Sequence, residues 1–147
     1  MGKRHRAREF ALQLLYGLDV GGGEPGSAID TFWAHFRPPQ ELRAFTRHLV
    51  EGVCAHREAL DRAIAECSEH WSVHRMAAVD RNILRMAAFE LLFCEDIPPN
   101  VTLNEAIELG KRYGSEDSGP FINGILDHLK QWALAGGLSG RTASSSA

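Results

Sequence analysis

The chain lacks most of what would mark an enzyme, a membrane protein or a disulfide scaffold. It has three cysteines in 147 residues, an odd number that cannot pair completely. Cys54, Cys67 and Cys94 sit in apolar helical surroundings, so reduced, buried thiols are expected. No apolar run approaches the ~20 residues that span a bilayer. Positive charge at the N-terminus suggests a signal peptide, but Arg8-Glu9 and Gln13 interrupt the apolar stretch that follows and no small-residue cleavage site appears. A cytoplasmic protein is expected. The glycine-rich run Gly21–Gly26 lacks the Lys-Ser/Thr of a phosphate-binding loop. No nucleophile elbow or triad spacing accompanies the serines, and no carboxylate pair stands out as general acid and base. Cys54, His56, Cys67, His70 and His74 fit no compact zinc finger. No catalytic residue, metal or cofactor is expected. Nor is there a strand signal of any length.

What remains is helical periodicity. A first helix over residues 3–18 carries Phe10, Ala11, Leu14, Leu15 and Leu18 on its inner stripe, with Arg4, Arg8 and Gln13 elsewhere. Ser27 and Asp30 read as caps of a second helix bearing Ile29, Phe32, Trp33 and Phe36, which Pro38-Pro39 ends. A third helix runs from about Gln40 to His56, with Leu42, Phe45, Leu49, Val53 and Cys54 inward. A fourth carries Leu60, Ile64 and Cys67, and Ser68–Arg75 reads as a hinge. The fifth, roughly Ala77 to Cys94, is apolar all round and so central. Arg85 and Glu90 inside it need ion-pair partners. Ile97-Pro98-Pro99 forces an extended link. In the sixth helix Thr102 and Glu105 read as a capping box, and Gly114 reads as a left-handed terminator. Asp117 or Ser118 then caps a seventh helix bearing Phe121, Ile122, Ile125, Leu126 and Leu129. The expected fold is all-α, about seven helices, in one domain over residues 1–135 with a disordered tail over 136–147.

Charge is unevenly spread. The chain's net charge is −3. Residues 1–8 contain Lys3, Arg4, Arg6 and Arg8 without an acid, so they carry +4 and the rest carries −7. Arginines at a helix N-terminus oppose the macrodipole. A phosphate partner would justify them, and the acidic body suits a basic protein partner.

Three stretches carry a family resemblance: KRHRAREFALQLLY at the start, VDRNILRMAAFELLF in the middle, and LNEAIELGKRYGSEDSGPFINGILD near the end. Together they cover about half the chain, in order, and resemble the NusB family of transcription antitermination factors. The resemblance implies two packed helical subdomains, about 1–70 and 75–135. It implies a non-enzymatic factor that binds the single-stranded boxA element of nascent ribosomal RNA. Its partners would be NusE, a ribosomal protein, and the antitermination complex on RNA polymerase. By position in the motif, Lys3, Arg4, His5, Arg6 and Arg8 form the family's basic arm. Tyr113, Asp117 and Phe121 fall on its RNA-contacting C-terminal positions, and Tyr16 and Asp80 on positions that face NusE. His5 stands where the family often has arginine, and Asp80 where it often has glutamate. Some family members form homodimers that hide the arm, and the sequence leaves oligomeric state open. Two other readings stand beside this one. The same domain forms the RNA-binding part of ribosomal-RNA cytosine methyltransferases, although no Rossmann-like segment or catalytic cysteine motif follows here. A DNA-binding helical regulator would need a helix-turn-helix pattern, and none is evident.

Overall fold

The computed structural model describes residues 2–69 and 71–136. Among these residues there are seven α-helices, one 3-10 turn and no strand. The helices are α1 (Gly2–Gly21), α2 (Pro25–His35), α3 (Gln40–Ala55), α4 (Arg57–Cys67), α5 (Ala78–Phe93), α6 (Pro99–Tyr113) and α7 (Ser118–Leu134), with the 3-10 turn at Val73–Arg75 between α4 and α5. The all-α expectation and the seven-helix count hold. The expected tail lies outside the described residues except for Gly136.

The buried helix α5 organises the packing. Ile83, Leu84, Ala88 and Leu92 are completely buried, and α5 packs against α1, α3, α4, α6 and α7. Truncating one such leucine to alanine typically costs about 2–5 kcal/mol. Helix α1 lies against α3 and α5, and α6 pairs with α7. Helix α4 packs mainly on α5 and α7. One glycine sets the α3–α5 distance: a Cβ on Gly52 would lie 2.1 Å from the Phe89 ring. The Thr46 hydroxyl donates to Leu42 O at 3.0 Å and to Ala7 O at 3.2 Å, joining α3 to α1 within the core. Phe10 meets Phe32, Trp33 and Phe36 edge-on at 5.1–5.9 Å, which fixes α2 on α1.

The helix ends differ from expectation. Glu24 caps α2 by accepting from Ser27 N at 2.8 Å, in place of Ser27 and Asp30. Helix α6 starts at Pro99, a residue pre-set for a first turn, with Pro98 at the cap and no side-chain cap bond. Thr102 and Glu105 therefore lie inside the helix and do not form a capping box. The Thr102 hydroxyl instead donates to Glu90 at 2.7 Å. Gly114 is extended (φ −96°, ψ −160°), not left-handed. It is needed for space, since a Cβ there would meet Ser118 Oγ at 2.3 Å. Asp117 occupies the N-cap of α7 without a side-chain cap bond. Ser118 closes the connector, its Oγ accepting from Ser115 N at 2.9 Å.

Buried charges in α5 find partners, as expected. Arg85 grips Asp61 through two bonds of 2.8 and 3.1 Å, and Glu90 receives Arg8. Cys67 and Cys94 are buried and Cys54 half-buried, all as free thiols. Burial pushes the Cys67 and Cys94 thiols up to about 11, far from the thiolate state that reacts. Among the described residues no helix is long and apolar enough to cross a membrane, and no group of three potential metal ligands forms.

Candidate nucleic-acid interface

The basic arm is the first two turns of α1, which contain no acid in the opening turn. Helix α1 packs along α3, and the arm's cations meet carboxylates on α3, on the link between α5 and α6, and on α6. The Lys3 ammonium pairs with Glu41 on α3, and both side chains are largely exposed. The Arg4 guanidinium lies over the Phe45 ring at 4.3 Å and reaches Asp96 at 3.9 Å. The Arg6 guanidinium lies over Phe10 at 4.7 Å and donates to Glu9 at 2.6 Å. His5 Nδ1 sits 2.8 Å from a Glu105 oxygen. A carboxylate oxygen accepts, so Nδ1 carries the proton in this contact.

Arg8 is different. Its side chain is 4% exposed, and Nε and Nη2 donate to the two Glu90 oxygens at 2.8 and 2.9 Å. This bidentate pair faces the core and not solvent. Arg8 belongs with α5 as a structural group and is removed from the set of exposed arm cations. Breaking such a buried pair from one side costs about 3–5 kcal/mol.

Glu9 links the arm to α6. Its side chain is 2% exposed. It accepts hydrogen bonds from Arg6 and, at 2.9 Å, from the Tyr113 hydroxyl, and forms an ion pair with the Arg112 guanidinium at 3.4 Å. Burial by itself would raise the Glu9 pKa. The hydrogen bonds from Arg6 and Tyr113 and the charges of Arg112 and Arg6 outweigh it and hold the carboxyl below its ordinary value. Burial and the bond to Glu9 in turn raise the Tyr113 hydroxyl above the usual phenol value. The result is one platform carrying two half-exposed guanidiniums, Arg6 and Arg112, and the edge of Tyr113. Arg112 was missed in the sequence because a cation in the last turn of a helix already complements the dipole. Glu9 read only as part of the Arg8-Glu9 interruption of the apolar stretch.

The connector continues this surface. Asp117 is exposed, with its backbone N donating to Ser115 Oγ at 3.3 Å. Phe121 is half-buried and meets the Trp71 ring edge-on at 5.8 Å. Trp71 was not foreseen; an isolated tryptophan within the expected hinge Ser68–Arg75 gives no periodic signal. Of the two residues expected to face a protein partner, Tyr16 is 42% exposed on α1. Asp80 is 9% exposed and accepts from Ser118 Oγ at 2.7 Å. It ties α5 to the connector.

A cationic helix end, an aromatic edge and an exposed acid on an all-helical scaffold make a candidate nucleic-acid-binding protein, and no catalytic group is assembled among the described residues. The comparisons with known proteins agree. The NusB family model matches residues 5–131, and the chain belongs to the NusB family. It is 58% identical over 129 residues to the transcription antitermination protein NusB of Syntrophus aciditrophicus, covering 88% of this chain and 80% of that protein. The structure of NusB from T. maritima superposes with a TM-score of 0.81 at 35% identity, covering 87% of this chain and 90% of the other. A chain from the crystal structure of antitermination factors NusB and NusE in complex with dsRNA superposes at 0.80 with 29% identity, covering 89% and 98%. Membership in this family makes the chain a transcription antitermination factor and not an enzyme. The methyltransferase reading gains no support from these relatives.

Proposed function

We propose that the chain binds the single-stranded boxA element of nascent ribosomal RNA together with NusE. On this reading it joins the antitermination complex on RNA polymerase in the cytoplasm, with residues 1–135 as the working unit. The observation that carries the reading is the Glu9 platform. One buried carboxylate holds Arg6, Arg112 and Tyr113 on a common face beside the exposed Lys3 and Arg4. Lys3, Arg4, Arg6 and Arg112 contact phosphates, with His5 held behind them by Glu105. Tyr113 and Phe121 stack unpaired bases, and Asp117 accepts from base amino groups. Arg8 supports the arm from within. Tyr16 contributes to the NusE face, while Asp80 acts on that face only through the connector. The relative solved with NusE and dsRNA supports the choice of partners.

The test is binding of a labelled boxA-type single-stranded RNA across a salt series, with and without NusE. Binding alone should be weak and should tighten with NusE. Four phosphate contacts give a log–log salt slope of roughly −3, at about −0.7 each. Replacing Arg4, Arg6 and Arg112 with alanine should remove about two of those units. An unchanged slope in that variant, or no RNA binding with NusE present, overturns the reading.

A further inference from the structure

We propose that Trp71 and Arg62 form an additional nucleotide seat on this chain, where an unpaired RNA base stacks on the indole and its phosphate meets the guanidinium. The inference rests on the RNA-binding reading and extends the RNA path past Phe121. Trp71 is a large aromatic left 55% exposed. It does not stand alone, since the half-buried Phe121 lies against it. Its backbone is held: Trp71 N donates to Ser68 O at 3.2 Å, and Ser68 Oγ donates to Trp71 O at 2.8 Å. Two residues earlier, Glu69 adopts φ 57°, a left-handed conformation that a glutamate rarely takes.

Two neighbours define what the indole would hold. On one side its ring meets Phe121 edge-on, at 5.8 Å between centroids and 79° between planes. That joins it directly to the proposed RNA surface. Beside it also lies a cleft of about 500 Å³, lined by Arg62, Trp71, Val73 and His74, a volume within the usual range for small-ligand sites. Arg62 is exposed and forms no ion pair among the described residues. The arm cations Lys3, Arg4 and Arg6, by contrast, are each paired with a carboxylate. The acids lining the cleft are Asp61, which is bound to Arg85, and the exposed Glu69. An aromatic face next to an unpaired guanidinium is the chemistry that sequence-tolerant single-strand binders use. It suits a nucleotide flanking the boxA core.

The test uses the full chain with NusE and a boxA-type RNA carrying a few extra nucleotides on each side. Indole fluorescence should be quenched on RNA addition in the wild type, and Trp71→Phe should abolish most of the quenching. Trp71→Ala should weaken affinity roughly tenfold, with Trp71→Phe retaining most of it. Arg62→Gln should reduce the salt slope by about 0.7. Thermal melts of each variant report folding, and the Phe and Gln variants leave the helices intact. If the wild type binds RNA but all three variants bind as it does and no quenching occurs, the seat is refuted while the arm assignment stands. Weakened NusE binding with unchanged RNA affinity also refutes it, showing a protein contact instead. Absence of RNA binding in the wild type overturns both.

Discussion

Helix α1 carries two buried carboxylates, Glu9 and Asp19, each surrounded by arginines, and they do different work. Asp19 is reached by Arg81 at 2.6 Å, Asn82 at 2.9 Å, Arg57 at 3.2 Å and Arg85 at 3.3 Å. Arg81 and Arg85 have side chains 18% and 2% exposed. Around Glu9 the guanidiniums of Arg6 and Arg112 are 50% and 62% exposed. Both carboxyls feel burial, which would raise their pKa, and both are held below the ordinary value by bonded arginines and their charges. The Asp19 cluster joins α1, α4 and α5 and is closed except at Arg57, whose side chain is 48% exposed. The Glu9 cluster is open, with its charge directed outward. The same pairing acts as a clamp where most of its cations are buried and presents positive charge to solvent where they are not.

Four substitutions or conditions separate these roles. Asp19→Asn should have the largest effect on stability, about 3 kcal/mol, because it leaves buried guanidinium charge under-compensated. Chemical denaturation measures this, and RNA affinity of the folded fraction should be unchanged. Glu9→Gln should cost less, about 1–2 kcal/mol, since Arg6 and Arg112 can rehydrate. Its signature should be lost discrimination between boxA and a scrambled RNA in competition binding, because the platform no longer fixes Tyr113. The stability difference between wild type and either variant should depend on pH. Both carboxyls have lowered folded pKa values, so their contribution is full above the unfolded values of about 3.8 for Asp19 and 4.5 for Glu9. It is lost as pH falls through the folded values, so the gap measured at pH 7 should narrow steadily in acid. Arg112→Ala should be nearly silent in stability, within about 0.5 kcal/mol, yet shallow the RNA salt slope by about 0.7.

These clusters also show how far sequence reasoning reached. The helices were legible because packing against α5 imposes a 3.6-residue period on every neighbour, and α5 itself read as apolar on all sides. Helix ends were less legible. Thr102 and Glu105 have the spacing of a cap, but Pro99 starts the helix a turn earlier, and the Thr102 hydroxyl goes to Glu90 on another helix. The arm was legible as charge but not as geometry. The stripe of Phe10, Ala11, Leu14, Leu15 and Leu18 leaves Arg8 outside it, yet Arg8 is buried, three, four and seven residues before the buried Ala11, Leu12 and Leu15. Its partner lies 82 positions away. Ion pairs of that separation exist only once the chain has folded. Arg112 and Trp71 became visible as site residues for the same reason, through contacts that cross between helices.

The pairing of Arg8 with Glu90 and of His5 with Glu105 has a consequence for folding. The arm lies 82 and 100 positions before the carboxylates on α5 and α6 that fix it. It takes its geometry only when α5 and α6 fold against α1, so a chain without those helices would carry the arm's charge without its arrangement.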